Sequence, residues 1–170
     1  MNLRVKIKRV KDVELPRYAK PGDSGFDLVA AEDTIIYPEE TTVVPTGLAL
    51  EIPPGYELQV RPRSGISFRT ELLVIIGTVD SSYRGEVGVI AKNLMPFIDM
   101  TTDGLWTIDE EFKETPEGWE VGTYIIRKGD RIAQGVIAPV ITANFVEVDE
   151  LSYSERGSGG FGSTGIRGGK

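Results

Sequence analysis

The sequence predicts an all-β fold, and three observations support this prediction. Short segments alternate apolar with polar residues, Gly and Pro turns separate these segments, and no long segment has the apolar period of a helix. Many short strands joined by such turns are typical of a sandwich, a jelly roll or a barrel. The 170 residues are enough for one domain with a substantial core.

The strands are predicted in order along the chain. Three segments alternate with a period of two, which predicts strands with one face exposed to water: residues 3–7, 48–52 and 58–60. Leu72–Ile76 is apolar throughout, which predicts a strand buried on both faces. Four more strands are predicted at Val87–Ala91, Thr123–Ile126, Ile132–Val140 and Asn144–Val148.

Turns and one helix separate these strands. Turn residues cluster at Pro21-Gly22, Pro53-Pro54-Gly55 and Lys128-Gly129-Asp130. Ser64–Thr70 predicts one short helix, with Ser64 as its N-cap.

Composition excludes several kinds of chemistry. With no Cys and no His, the chain has no disulfide, no Cys nucleophile and no Ser–His–Asp triad. Acid–base work therefore falls to Asp or Glu, and a metal would be a hard ion held by oxygen. The net charge of −7 argues against a broad nucleic-acid surface, although Arg residues gathered locally could still bind a small anion.

Neither end of the chain indicates a membrane protein. There is no apolar run near twenty residues, and the basic, alternating start MNLRVKIKRV lacks the apolar centre of a signal peptide. We therefore expect a cytoplasmic protein with neither a membrane nor a nucleic acid as partner.

The last fifteen residues, 156–170, contain seven Gly and cannot build a core. They have the residues to wrap a nucleotide. Arg156 has a planar fork for phosphate, Ser163 and Thr164 have hydroxyl groups, and Phe161 could stack on a base. The alternative is a flexible terminus without a ligand.

Residues 77–86, GTVDSSYRGE, interrupt the strand pattern. Gly77 permits a tight hairpin with exposed backbone groups, and Asp80 and Tyr83 would lie within it. A carboxylate, a ring and free backbone groups fit a nucleoside pocket in which Asp80 holds a water for attack on phosphorus. The alternative is a hairpin whose polar residues only satisfy the turn.

Three further segments carry candidate side chains. Arg61-Pro62-Arg63-Ser64-Gly65 places two Arg residues and a hydroxyl at the end of a strand, where a helix start would add free N–H groups for an anion. Residues 131–134, RIAQ, place Arg131 and Gln134 around two small apolar residues. Asp27 is a second isolated carboxylate, in SGFDL. Each segment alone is a weak signal.

Together and in this order, the segments resemble the homotrimeric dUTPase family. Five motifs carry the resemblance: SGFDL at 24–28, PRSG at 62–65, GTVDSSYRGE at 77–86, RIAQ at 131–134 and RGSGGFGSTG at 156–165. The resemblance implies hydrolysis of dUTP to dUMP and pyrophosphate with Mg²⁺. It also implies a jelly-roll-like, distorted β-barrel and active sites built from three chains, each closed by a neighbour's tail.

The resemblance also implies a role for each matched residue. Asp80 would activate the water, and Tyr83 would pack under the deoxyribose and exclude a ribose. Gly77, Thr78 and Val79 would bind uracil through their backbone. Asp27 would hold Mg²⁺ through water. The remaining residues would bind phosphates, except Phe161, which would stack on uracil: Arg63, Ser64, Gly65, Gln134, Arg156, Gly162, Ser163 and Thr164.

Two departures from the family pattern stand out. Many members have Asn three residues before the hairpin Gly, where this chain has Val74, so strict uracil selectivity is in doubt. Residues 96–121 exceed the usual loop and are acidic, with Trp106 and Trp119. Some phage-borne members are enlarged at a similar place. We expect one β domain over 1–155 that contains this insert, followed by a flexible tail over 156–170 that closes the site.

The insert is expected to be a solvated hairpin whose Trp residues pack locally, or a surface for a protein partner. Two alternative functions remain. One is a regulatory binding protein that uses the insert, and the other is a dCTP deaminase relative, which lacks the Gly-rich tail found here.

Overall fold

The structure is a computed structural model, and it describes residues 3–160. These residues form twelve strands and one short helix. The strands are β1 (Lys6–Arg9), β2 (Phe26–Val29), β3 (Thr34–Ile36), β4 (Thr41–Glu51), β5 (Tyr56–Pro62), β6 (Leu72–Val74), β7 (Gly77–Val79), β8 (Glu86–Asn93), β9 (Thr101–Thr107), β10 (Phe112–Glu120), β11 (Tyr124–Ile126) and β12 (Arg131–Pro139). The helix, α1, spans Ser64–Arg69.

The strands form three four-stranded sheets in a distorted barrel of the jelly-roll type. The sheet orders are β1-β4-β8-β6, β10-β9-β11-β3 and β2-β12-β5-β7. The sheets enclose a core of aliphatic side chains that are almost completely shielded from water, among them Leu28, Ile36, Leu58, Val89 and Ile132. No helix within residues 3–160 has the length and apolar character that crossing a membrane requires.

Where the sequence alternates strictly, the strand predictions are confirmed. In β8, Val87, Val89 and Ala91 are buried, whereas Ile90 points outward. In β5, Leu58 and Val60 face the core and Arg61 is exposed. The period-two pattern therefore identified the core-facing positions of these strands.

The prediction of a strand buried on both faces at 72–76 is wrong for the single chain. Strand β6 covers only Leu72–Val74, and Leu73 and Ile76 are 44% and 69% exposed. The reason is that only one face of β6, with Leu72 and Val74, packs on the core, while no described element covers the other face.

The strand predicted at 144–148 is also absent from the structure. These residues form no strand and are exposed, with Phe145 at 93%. They belong to an arm, residues 141–153, which follows β12 and leaves the core of its own chain. An apolar pattern indicates burial, but not which chain provides the partner.

Two local predictions need correction. Residues 77–86 do not form a hairpin, because β7 pairs with β5, while β8 pairs with β4 and β6 in another sheet. Helix α1 begins one residue earlier than a Ser64 N-cap would place it. Arg63 is its N-cap, with extended backbone angles, and Ser64 is the first helical residue.

The insert forms an antiparallel hairpin of β9 and β10. Strand β9 also pairs in parallel with β11, so the hairpin extends the sheet that contains β11 and β3. The ring centroids of Trp106 and Phe112 are 5.3 Å apart across the hairpin, and those of Trp119 and Tyr37 are 6.2 Å apart. The insert is therefore part of a sheet and packs onto the body.

Candidate active site

The predicted site residues lie in two groups at opposite ends of β5. Val79 lies opposite Leu58, which places Asp80 beside Glu57, near the Tyr56 end of β5. Gln134 lies opposite Arg61, and Arg63 directly follows the Pro62 end. Six residues of extended chain separate Glu57 from Arg63, a distance of about 20 Å. One chain therefore does not bring Asp80 to Arg63.

The first group centres on the Asp27 carboxylate in β2. Its Oδ1 lies 3.1 Å from Arg63 Nε, and its Oδ2 lies 3.4 Å from Arg131 Nη1. Arg63 Nη1 also donates a 2.8 Å hydrogen bond to the Arg131 carbonyl oxygen. Asp27 and Arg63 are both partly buried, whereas the Arg131 side chain is 60% exposed, so this cluster gathers two guanidinium groups at the strand ends and holds that of Arg63 in place.

Gln134 completes this group from β12. It pairs with Asp27 in register, and its Nε2 donates a 3.0 Å hydrogen bond to the Pro62 carbonyl oxygen. Gly25 leaves room for this side chain, since a Cβ there would lie 3.1 Å from Gln134 Oε1. Ser64 and Gly65 are exposed at the start of α1. Cations, an amide and a hydroxyl thus converge, which suits a polyphosphate.

The second group centres on the turn that follows β7. The Tyr83 N–H donates a 3.0 Å hydrogen bond to the Asp80 carbonyl oxygen. Arg84 Nη1 donates to the carbonyl oxygens of Ser81 and Tyr83, at 2.6 and 2.8 Å. These bonds fix the turn and leave the Asp80 side chain exposed at the mouth of an open cavity of 280 Å³.

The Tyr83 ring lies against the backbone that leads into β8. Its hydroxyl donates a 3.1 Å hydrogen bond to the Glu86 carbonyl oxygen. A Cβ on Gly85 would lie 2.5 Å from Tyr83 Cζ, so only Gly allows this approach. One short turn therefore carries both the Tyr83 ring and the Asp80 carboxylate.

Strand β7 contains Gly77, Thr78 and Val79 and lies at the edge of its sheet among the described strands. Thr78 is exposed, while Gly77 and Val79 are partly buried. An edge strand has backbone N–H and C=O groups that no neighbouring strand uses. Such groups can read the edge of a base.

A cavity of 410 Å³ lies beside the first group, and the insert forms one of its walls. Arg63, Gly65 and Arg131 line the cavity together with Ile108 and Asp109 of the insert. No role for Arg131 or Asp109 follows from the sequence. Arg131 lay within a matched motif, but no local signal set Asp109 apart from the other acids of the insert.

Asp109 in the wall of this cavity and its ion-pair partner Arg127 both have shifted pKa values. A hydrogen bond from Thr107, and then the Arg127 guanidinium, lower the pKa of the Asp109 carboxyl. The hydrogen bond to Asp109 raises the pKa of Arg127. Both shifts favour the charged forms, so the pair is ionised at neutral pH.

The metal-binding capacity of the site is limited to single carboxylates. Within residues 3–160 no three Asp or Glu side chains cluster as a metal cage. Asp27 is a partly exposed oxygen donor beside the phosphate-binding cations. This donor fits a hydrated Mg²⁺ held through water, with most metal ligands coming from phosphates.

Of the predicted site residues in the closing tail, only Arg156 lies within the described part of the chain. Arg156 is exposed in a turn, where its Nε donates a 3.0 Å hydrogen bond to the Gly159 carbonyl oxygen. Phe161, Gly162, Ser163 and Thr164 lie outside the described residues.

Comparisons with known proteins agree with the motifs. The family model for dUTPase matches residues 11–97 and 122–165 and does not cover the hairpin of β9 and β10. The chain is 45% identical over 171 residues to the deoxyuridine 5'-triphosphate nucleotidohydrolase of Anaeromyxobacter sp. (strain Fw109-5), covering 97% of this chain and 99% of the relative. It is 39% identical over 167 residues to that of Helicobacter pylori (strain J99), covering 96% and 98%.

Solved structures show the same fold. A mutant dUTPase of Staphylococcus bacteriophage 80alpha with dUpNHpp superposes with a TM-score of 0.92 at 36% identity, covering 97% of this chain and all of that one. The dUTPase of phage phi11 of S. aureus, which has a species-specific insert, gives 0.83 at 30% identity, covering 88% and 98%.

Proposed function

This chain belongs to the dUTPase family, and from that premise we propose how its residues hydrolyse dUTP to dUMP and pyrophosphate. The observation that supports the activity best is the full-length similarity together with five motifs in unbroken order. In the reaction, water attacks the α-phosphorus and the bond from that phosphorus to the bridging oxygen of pyrophosphate breaks.

Asp80 acts as the base. Its carboxylate is exposed beside an open cavity and lies on a turn fixed by hydrogen bonds, so it can orient a water and accept its proton. A positioned base accelerates such a reaction by roughly 10²–10⁴-fold.

Tyr83 and β7 select the nucleoside. The Tyr83 ring packs under the deoxyribose, in the space that a 2′-hydroxyl would need. The backbone groups of Gly77, Thr78 and Val79 at the open edge of β7 bind uracil, since Val74 has no polar group for the base.

The phosphates bind at the other end of β5. Arg63 provides a guanidinium that Asp27 holds in position, and Ser64, Gly65 and Gln134 add polar contacts. Arg156, Gly162, Ser163 and Thr164 of the tail complete the contacts, and Phe161 stacks on uracil.

The family is metal-dependent, and the proposed ion here is Mg²⁺. When bound, it neutralises charge on the phosphate oxygens. Asp27 accepts hydrogen bonds from its water ligands, and this role is compatible with the partial exposure of the carboxylate.

The family is oligomeric, and we take the active form to be a homotrimer with shared sites. The first support is the separation of Asp80 from Arg63 along β5, because two chains must meet to join the nucleoside half and the phosphate half. A cyclic assembly brings each half of one chain against the other half of its neighbour.

The second support is an uncovered apolar face on the sheet of β4, β8 and β6. Val43 lies opposite Ile90 in register, and the Ile75 N–H donates a 2.9 Å hydrogen bond to the Ile90 carbonyl oxygen. Their side chains and that of Leu73 are exposed, by 58% at Val43. Contiguous exposed apolar surface of this kind marks a protein interface.

The third support is the arm at residues 141–153. Phe145, Leu151 and Tyr153 are about nine-tenths exposed in the single chain. Such side chains gain stability when another chain covers them. An arm that crosses to a neighbour also carries the tail to that neighbour's site.

The insert is a candidate surface for a protein partner. Residues 96–121 contain eight acidic residues and one Lys, a charge of −7, which equals the net charge of the whole chain. A basic partner fits this charge. The proposed location of the enzyme is the cytoplasm, where its nucleotide substrate occurs.

The test of the function is release of pyrophosphate from dUTP, dCTP, dTTP and UTP, each with and without Mg²⁺. We expect turnover of dUTP with Mg²⁺ and little of the others. Equal turnover of dUTP and dCTP would contradict the uracil selectivity, and no turnover of dUTP would contradict the function.

A further inference from the structure

The turn between β9 and β10 reaches the phosphate-binding end of the site. Residues Thr107–Glu111 form this turn, in which the Thr107 N–H donates a 2.9 Å hydrogen bond to the Glu111 carbonyl oxygen. Glu110 has a φ of 68°, which closes the turn in the left-handed region. Ile108 packs against the core, and Ile108 and Asp109 line the cavity that also contains Arg63 and Arg131.

Asp109 holds Arg127 at the end of β11. Arg127 Nη2 lies 3.0 and 3.1 Å from the two carboxylate oxygens of Asp109. Arg127 Nε lies 3.7 Å from Asp130 Oδ2, which also accepts a 2.8 Å hydrogen bond from the Arg127 N–H. The guanidinium therefore bridges the insert and the turn between β11 and β12.

That turn positions Arg131. The Asp130 N–H donates to the Arg127 carbonyl oxygen at 2.9 Å, and the Ala30 N–H donates a 2.9 Å hydrogen bond to the Asp130 carbonyl oxygen. Arg131 follows directly, and its carbonyl oxygen accepts the 2.8 Å bond from Arg63. An unbroken series of contacts thus runs from Asp109 through Arg127 and the turn to Arg63.

We infer that Asp109 is a positioning residue for phosphate binding, acting through Arg127 on Arg131 and Arg63. This inference rests on the proposed function, because it assigns the cavity beside Arg63 to the phosphates of the substrate. The insert is then part of the catalytic body and tunes affinity for pyrophosphate and for the triphosphate.

The position of Asp109 distinguishes it from the other acids of the insert. Asp103 lies on β9, is exposed, and has its nearest described polar contact with the neighbouring Thr102 at 3.5 Å. It shares the residue type and the hairpin with Asp109 but not the cavity. Asp103→Asn is therefore the matched control for Asp109→Asn.

The experiment measures five chains: wild type, Asp109→Asn, Arg127→Gln, the double variant and the control Asp103→Asn. The readouts are kcat/KM for dUTP and the inhibition constants of inorganic pyrophosphate and of deoxyuridine. A partly exposed ion pair transmits a small effect, so each single variant should raise the inhibition constant of pyrophosphate about three- to fivefold. The inhibition constant of deoxyuridine should not change, because the nucleoside binds at the other end of β5.

The double variant separates positioning from direct repulsion. If Asp109 acts through Arg127, adding Asp109→Asn to Arg127→Gln has no further effect. If Asp109 only repels the phosphates, its removal tightens pyrophosphate binding in both backgrounds, which overturns the inference. Unchanged pyrophosphate inhibition in Asp109→Asn, or a loss equal to that of Asp103→Asn, also overturns it.

Melting temperature and mass in solution confirm that each variant folds and assembles. If Asp109→Asn does not fold or assemble, the Arg127→Gln variant alone tests the inference. An unchanged inhibition constant of pyrophosphate in Arg127→Gln would contradict the series of contacts. A wild-type chain that leaves dUTP intact rejects the proposed function and this inference with it. An active wild type with an unaffected Asp109→Asn rejects this inference alone.

Discussion

Asp80 and Arg63 lie at opposite ends of β5, about 20 Å apart along the strand. Asp80 belongs to the turn that presents Tyr83, and Arg63 belongs to the cluster around Asp27. A base and a phosphate ligand at this distance cannot act on one α-phosphate within a single chain. This relationship is the physical basis of the proposal that the active site is shared between chains.

Asp80→Asn should remove almost all turnover and leave folding and dUTP binding nearly intact. The amide keeps the shape of the side chain but cannot accept the proton of the attacking water, and the expected loss in kcat is roughly 10²–10⁴-fold. Steady-state kinetics with binding measured by calorimetry tests this. Asp12→Asn, an exposed Asp outside the matched motifs, is the control. Retention of more than about a tenth of the wild-type rate, ten times the rate that the smallest expected loss would leave, would exclude Asp80 as the base.

Tyr83→Ala should raise hydrolysis of UTP relative to dUTP, because the ring would no longer occupy the space of a 2′-hydroxyl. Gly85→Ala should have a similar effect, since its Cβ would lie 2.5 Å from Tyr83 Cζ and displace the ring. The measurement is the ratio of kcat/KM for the two nucleotides. If neither variant moves this ratio, the steric account of sugar selection is wrong.

Asn93→Ala should destabilise the fold by about 2–4 kcal/mol, because it leaves buried backbone groups without partners. The Asn93 side chain is fully buried. Its Nδ2 donates to the carbonyl oxygens of Ile36 and Gly122, and its Oδ1 accepts from the Met95 N–H. Denaturant unfolding measures the loss, with the exposed Thr101→Ala as control. A loss equal to the control would show that these bonds do not support the ends of the insert.

Replacing residues 98–121 by a short Gly turn should reduce kcat/KM by less than tenfold, about the size of the Asp109 effect. The matched motifs all lie outside this segment. Wild type and the replaced chain are compared at equal trimer concentration. If the trimer persists and activity falls by orders of magnitude, the insert shapes the site far more than one ion pair does.

The sequence predicted the parts of the fold in which burial follows a local pattern. In β8 the alternation of Val87, Val89 and Ala91 records the core face directly. The apolar run at 72–76 and the segment at 144–148 also indicate burial, but Leu73, Ile75 and Ile76 and the whole of 144–148 are exposed in one chain. Hydrophobicity does not specify whether the covering surface belongs to the same chain.

The sequence identified the residue types of the site better than their arrangement. Motif order assigned roles to Asp80, Arg63 and Gln134, but their placement depends on the pairing of β5 with β7 and β12. Neighbouring segments favour a hairpin at 77–86, whereas β7 pairs with a strand that lies earlier in the chain. The contact between Asp109 and Arg127 follows from the parallel pairing of β9 with β11, which no local pattern predicts.

The shared site can be tested by complementation between two inactive variants, Asp80→Asn and a truncation that ends at Glu155. In a mixed trimer, a whole site forms when a truncated chain provides Asp80 and an Asp80→Asn chain provides the tail. Random assortment of equal amounts makes each condition true half the time, so about a quarter of the sites are whole.

The decisive measurement is the dUTP hydrolysis rate after the two variants are unfolded together and refolded, compared with the same variants mixed without exchange. A site shared between chains predicts recovery of about a quarter of the wild-type rate after refolding and no recovery in the simple mixture. Mass measurements verify that the chains have exchanged. If activity still does not recover, Asp80 and the tail act within one chain, which would contradict the shared active site.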